Sequence, residues 1–246
     1  METRGWALVT GAGRRLGRVL ALQAARRGYD VIVHSHHSGD DAQETAALIR
    51  AVGRLAETQS ADLSSPRDCS RLLHTQAPVT LLVNCASAFE DDSIETLSAD
   101  SWDAHLAVNL RAPVLLAQAF AAALPEGRSG QIVNITDQRV WRLTPRFFSY
   151  TISKAALWTA TQTLAQALAP RIRVNAIGPG PTLASVHQAP GEFEREAAAV
   201  PLGHGPTPEE VAAALAYLID APSVTGQMIA VDGGQHLAWR TPDVIE

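Results

Sequence analysis

Thr10-Gly-Ala-Gly-Arg-Arg-Leu-Gly17 follows the apolar run Trp6-Ala-Leu-Val-Thr10 and opens a segment of helical spacing, with Leu16, Val19, Leu20 and Ala24 on one face. That order of strand, glycine turn and helix decides the fold. Gly11 permits a tight turn, Gly13 lets backbone approach a ligand, and Gly17 lets the helix pack on the strand. The helix start aims free N–H groups and a partial positive charge at the turn, which suits a pyrophosphate. The plain alternative is an ordinary strand-to-helix turn. The position at the first strand–helix junction of an alternating chain favours the phosphate cradle.

The alternation continues outward from this turn. Short apolar runs at 31–33, 57–61, 80–84, 131–136, 172–177 and 228–231 read as strands, and 41–52, 66–76, 101–124, 150–169 and 208–219 read as helices. Continuous apolar strands between helices indicate a parallel sheet covered on both faces. The expectation is α/β, a single doubly wound Rossmann domain over 1–246 with a seven-stranded parallel sheet. Residues 178–208 are dense in proline and glycine and interrupt the alternation, so they are expected to form a lid over a site.

Bulk properties narrow the function. A net charge of −5 argues against binding nucleic acid through phosphate neutralisation. Cys69 and Cys85 have neither metal-ligand nor Cys-x-x-Cys spacing, so no metal and no disulfide are expected. The apolar stretch at residues 6–9 is too short for a signal sequence, and 112–124 is broken by Gln118 and too short to span a bilayer, so no membrane partner is expected. The expected location is cytoplasmic.

The second strand runs into Val33-His-Ser-His-His-Ser38, with no acid before Asp40. Dinucleotide folds that take NAD carry an acid there for the ribose 2′-hydroxyl. Arg14, Arg15, His36, His37 and Ser38 can instead donate to a 2′-phosphate, so the expected cofactor is NADPH. Further along, Tyr150-Thr-Ile-Ser-Lys154 places a phenol and an ammonium on one helix face. An ammonium held close lowers the pKa of a phenol and fits it for acid–base work. Such a pair alone is commonly just exposed surface; it gains weight from the preceding strand, which ends Asn134-Ile-Thr-Asp137.

Taken together, the turn 10–17, Asn84-Cys-Ala-Ser87, Asn109, Tyr150 with Lys154, Arg173-Val-Asn-Ala-Ile-Gly-Pro-Gly180 and Val231-Asp-Gly-Gly234 resemble the short-chain dehydrogenase/reductases in order and spacing over essentially the whole chain. The resemblance implies Tyr150 as general acid and Lys154 as holder of the nicotinamide ribose. Asn109 would support a proton-relay water. Cofactor contacts would come from Gly11, Gly13, Arg14, Arg15, Leu16, Gly17, Asn84, Ala86 and Ser87. Asp62 and Leu63 would flank the adenine, and Pro179 and Gly180 would meet the nicotinamide. It also implies a homotetramer or homodimer, to which the tail 235–246, with Trp239, would contribute packing.

Three positions depart from the family pattern. Arg15 stands where the turn usually has glycine, Cys85 where the run has asparagine, and Asp137 where a catalytic serine precedes the tyrosine by thirteen residues. Arg15 and Asp137 resemble the pteridine reductase subgroup, as does Phe89 just after the Asn-Cys-Ala-Ser run. On that reading Arg15, Phe89, Asp137 and Tyr150 meet a dihydropterin or dihydrofolate whose C=N bond is reduced. The alternatives are a short-chain carbonyl reductase acting on a ketone or 3-oxoacyl chain, and a catalytically silent NADPH-binding sensor. Retention of Tyr150, Lys154 and Asn109 disfavours the sensor.

Overall fold

Successive residues of the first strand face opposite ways: Ala7 and Val9 join one apolar cluster, and Leu8 joins the other. The same period of two recurs in every central strand and requires helices on both faces. The computed structural model describes residues 3–73, 77–185 and 188–238. Strands β1 (Trp6–Val9), β2 (Asp30–Ser35), β3 (Ala56–Ser60), β4 (Val79–Asn84), β5 (Gly130–Ile135), β6 (Ile172–Pro179) and β7 (Met228–Val231) form one parallel sheet in the order 3-2-1-4-5-6-7. Helices α1 (Arg15–Arg26), α2 (Gly39–Ala51) and α8 (Pro208–Asp220) supply residues to the first cluster. Helices α3 (Pro66–Arg71), α5 (Ala112–Ala123) and α6 (Phe148–Leu168) supply the second. Every strand therefore delivers its carboxyl end to one rim, where the turn after β1 meets the end of β4.

Helix α4 (Ala99–Leu106), a π-helical turn (Ala107–Arg111) and α5 form one continuous helical run. Pro113 has no N–H to offer the Asn109 carbonyl four residues back, so the ladder widens there. The run Ala99–Ala123 is long and apolar enough to cross a bilayer. In the fold it buries Leu116, Ala117 and Phe120 in the second apolar cluster.

Two expectations change. The segment 178–208 is not irregular throughout: it holds α7 (Glu192–Ala198), whose seven residues Glu-Phe-Glu-Arg-Glu-Ala-Ala bury no face and so show no apolar period. The helix expected over 66–76 ends at Arg71. Residues 74–76 lie outside the described residues, as do those from 239 on, including Trp239.

Candidate active site

The turn after β1 is built by close approach. A Cβ on Gly17 would stand 2.1 Å from the Gly11 carbonyl oxygen, and one on Gly11, at φ +66°, would stand 2.9 Å from Ala86 Cα. Gly13 is approached by Ser38 and the start of α2, which brings the end of β2 against the turn. Thr10 Oγ1 accepts the Cys85 and Ala86 N–H groups at 2.9 and 3.0 Å and so ties the turn to the end of β4. This tie fixes the Asn-Cys-Ala-Ser backbone without an asparagine side chain at position 85. Burial pushes the Cys85 thiol up to about 12, so it stays protonated.

His34, which sequence reasoning did not single out, braces the turn from below. Its Nδ1 accepts the Gly11 N–H at 3.1 Å, and its Nε2 faces the Ala61 carbonyl at 3.2 Å, which fixes the tautomer with the proton on Nε2. Burial lowers its pKa to about 4, so it is neutral. No spacing in the sequence marks it, because its partners are fixed only by strand register.

Helix α1 begins without a side-chain cap at Arg14 and without an acid in its first turn. Its opening N–H groups therefore face the turn beside Arg14, as an anion site requires. Ser38, at the start of α2, makes no cap bond with its hydroxyl. His36 and His37 are exposed and stack on each other at 3.5 Å. Together these residues fit a dinucleotide carrying a 2′-phosphate. Asp62 is committed to the Ser64 N–H and hydroxyl, which lower its pKa. Leu63 is turned into the core, so its side chain does not reach the rim. The Asn84 amide donates to Asn134 at 2.8 Å, and its Oδ1 is buried without a partner. Gly180 donates to the Val231 carbonyl at 2.9 Å, and a Cβ there would stand 2.7 Å from Asp232 Cα, which places the Pro179-Gly180 bend against the end of β7.

Tyr150, Asp137 and Lys154 converge at the ends of β5 and α6. The Tyr150 hydroxyl donates to Asp137 Oδ2 at 2.9 Å. Lys154 Nζ donates to the Ile135 carbonyl at 2.8 Å and lies 5.7 Å from the centre of the Tyr150 ring. The expected lowering of the tyrosine pKa is corrected here. Burial and the Asp137 charge raise it well above 10, with only Arg139 among its main influences pulling down. Burial lowers Lys154 to about 8. The phenol is thus held protonated, as a donor must be.

The Asn109 side chain is fully engaged within the fold. Its Oδ1 accepts from the Ala88 N–H at 2.8 Å and the Ser87 hydroxyl at 3.1 Å, and its Nδ2 donates to the Ala88 carbonyl and Ser153 Oγ, both at 3.0 Å. The side chain has no capacity left for a relay water; it clamps the 87–88 backbone to α6. Arg15, in the left-handed region at φ +53°, donates to the Leu183 and Ala184 carbonyls at 3.3 and 2.7 Å. Through one nitrogen, Nη2, it latches the glycine turn to the loop after β6. Phe89 stacks on Phe147 at 4.7 Å and meets the Tyr150 ring edge-on at 4.7 Å, so one of its faces is already covered.

The start of α6 carries no cap of its own. Asp92 supplies one: its backbone carbonyl accepts the Phe148 N–H and its carboxylate accepts the Ser149 N–H at 3.1 Å. The Ser149 hydroxyl also bonds Asp92 and meets His105 Nδ1 at 2.7 Å, while His105 Nε2 accepts the Glu90 N–H. Burial keeps His105 neutral by lowering its pKa. This chain fixes the loop bearing Phe89 to the helix bearing Tyr150.

A family model described as enoyl-(acyl carrier protein) reductase matches residues 11–236. A short-chain type dehydrogenase/reductase of Picea abies is 32% identical, over 93% of this chain and 91% of that protein. A 3-oxoacyl-[acyl-carrier-protein] reductase of Synechocystis is 31% identical, over 93% and 95%. Among solved structures, FolM alternative dihydrofolate reductase 1 of Brucella suis, in complex with NADP, is 47% identical, covers 100% of both chains and superposes with a TM-score of 0.93.

Proposed function

The chain belongs to the short-chain dehydrogenase/reductase family, and from that premise we propose that it is an NADPH-dependent reductase of the C=N bond of a dihydropterin or dihydrofolate. The observation that carries this reading is the Tyr150–Asp137 bond at 2.9 Å. A carbonyl reductase of the family would place a serine hydroxyl there to donate to a ketone oxygen. A carboxylate cannot donate, and it would repel charge growing on that oxygen. Reduction of an imine instead asks for a proton at nitrogen, and Asp137 orients the phenol that holds one. The likeness to FolM of Brucella suis supports the same substrate class.

In this reading the cofactor supplies a hydride when bound. The turn 11–17 and the start of α1 hold its pyrophosphate; Arg14, His36, His37 and Ser38 hold the 2′-phosphate; Lys154 holds the nicotinamide ribose. Phe89 and Phe147 form an aromatic platform for a flat substrate. Tyr150 gives its proton to the substrate nitrogen, and the positive charges of Arg139 and Lys154 compensate the phenolate left behind. Arg15, with segment 178–208 and α7, closes over the pair as a lid. We further place the enzyme in the cytoplasm as a homodimer or homotetramer.

A panel of NADPH and NADH oxidation assays with dihydropterins, dihydrofolate and simple ketones tests the proposal. The expected result is turnover of a dihydropterin or dihydrofolate with NADPH favoured about tenfold or more, since one charge-assisted contact to phosphate contributes roughly 1.5–3 kcal/mol. Brisk ketone reduction with no pterin or folate activity would assign the carbonyl reductase reading. Equal rates with NADH would overturn the phosphate contacts.

A further inference from the structure

We propose that Arg139 is a positioning residue for proton transfer, holding the Asp137 carboxylate against the Tyr150 hydroxyl and holding the Phe147 ring against Phe89. The inference rests on Tyr150 as the proton donor, and it adds a residue that neither the glycine turn nor the tyrosine–lysine pair identifies.

Asp137 lies two residues beyond β5 and caps the 3-10 turn Gln138–Val140 by accepting the Arg139 N–H on Oδ1 at 2.8 Å. The Arg139 side chain folds back onto the same carboxylate, with Nη1 donating to Oδ2 at 3.1 Å. Oδ2 is also the oxygen that accepts the Tyr150 hydroxyl. One carboxylate oxygen therefore receives the guanidinium and the acid together. The other cations nearby are committed elsewhere: Lys154 to the Ile135 carbonyl, Arg15 to Leu183 and Ala184, Arg146 to Asp91. Among the described residues, Arg139 alone makes an ion pair with Asp137.

The other side of the guanidinium lies over Phe147, 5.0 Å from its centre. Phe147 stacks on Phe89, and Phe89 meets Tyr150 edge-on. Tyr150, Asp137, Arg139, Phe147 and Phe89 thus close a ring of contacts in which the acid and the aromatic platform share one cation. The titratable groups that face Arg139 are Asp137 on its own turn, the neutral Tyr150 phenol on α6 and Glu196 on α7; Arg146 lies on the same Phe147 ring. A merely space-filling side chain would not explain the arrangement. The Arg139 side chain is 16% exposed, and its Nε is buried with no acceptor, a cost that an apolar residue of similar length would avoid. Two tasks offset that loss: Nη1 binds the carboxylate and the guanidinium face covers the ring.

The test compares Arg139→Met and Arg139→Lys with the full-length wild type, using Tyr150→Phe for assignment. The chain has three tyrosines, so protein labelled with 13C at tyrosine Cζ gives a spectrum simple enough to follow Tyr150 without any substrate. The Tyr150 signal is expected to move in Arg139→Met and to return most of the way in Arg139→Lys, while NADPH affinity stays within about threefold, under 0.7 kcal/mol. On whichever substrate the wild type reduces, kcat should fall about 10- to 100-fold in Arg139→Met, part of the ~10²–10⁴-fold that a general acid supplies. KM should change less. An unmoved Tyr150 signal, or equal losses in kcat and NADPH affinity that lysine does not restore, would overturn the proposal. Failure of the pterin reading shows separately, in the wild-type substrate panel.

Discussion

At the scale of single residues, two side chains make opposed demands on protonation. Tyr150 must keep its proton until transfer, and burial beside Asp137 ensures that it does. Tyr150→Phe should reduce turnover by ~10²–10⁴-fold and leave NADPH affinity nearly intact, because the hydroxyl bonds Asp137 and takes no part in the glycine turn. Cofactor fluorescence titration beside steady-state kinetics checks this; a near wild-type rate would remove Tyr150 from the role of acid. His34 must stay unprotonated, because its Nδ1 accepts from Gly11. The fold lowers its pKa from 6.5 to about 4, a difference that at 1.36 kcal/mol per unit corresponds to about 3 kcal/mol. The folded state favours the neutral ring, so this stability is present above pH 6.5 and is lost as pH falls through about 4. His34→Asn keeps an acceptor near Nδ1 but cannot titrate. Its melting midpoint should therefore change less than that of the wild type between pH 6.5 and 4, and parallel curves would contradict the brace.

At the scale of elements, the junction of β1 with α1 leaves no spare room. Gly17→Ala would put a methyl 2.1 Å from the Gly11 carbonyl oxygen, which is backbone and cannot swing aside. Alanine's helix preference over glycine is worth about 1 kcal/mol. Overpacking of about 1–3 kcal/mol exceeds it, so the variant should unfold at lower urea and bind NADPH more weakly. A variant as stable as the wild type would show that α1 can slide. This junction was legible in the sequence because glycine spacing and the apolar stripe of α1 are local signals. Tyr150 and Lys154 were legible for the same reason, four residues apart on one helix. His34, Asp92 and Phe147 were not. Each acts through a partner 20 to 60 positions away, and strand register or loop path, not local spacing, brings them together. The Arg15 bonds to Leu183 and Ala184 were hidden too, because nothing in the sequence shows the loop after β6 returning to the turn.

At the scale of the whole molecule, alternating strand and helix patterns identified seven parallel strands in a single domain, but not the order in which they lie. Period-two burial says that a strand is covered on both faces, whereas neighbours depend on where each crossover lands. The break in the alternation at 178–208 was legible, but α7 within it was not, because it buries no face and so shows no apolar period. The order 3-2-1-4-5-6-7 also carries a consequence for how the chain comes to its native state. β1 pairs on one side with β2, close behind it, but on the other side with β4, and the Thr10 hydroxyl waits for amides 75 and 76 positions later. Closing a loop of that length costs about 4 kcal/mol of chain entropy before any contact offsets it. During synthesis the first βαβ unit can assemble early, but the phosphate cradle stays half-walled until the chain has passed Ala86. The most local motif in the sequence is therefore completed by one of the least local contacts in the fold, and substitutions that weaken β4 should slow its maturation as well as destabilise the finished enzyme.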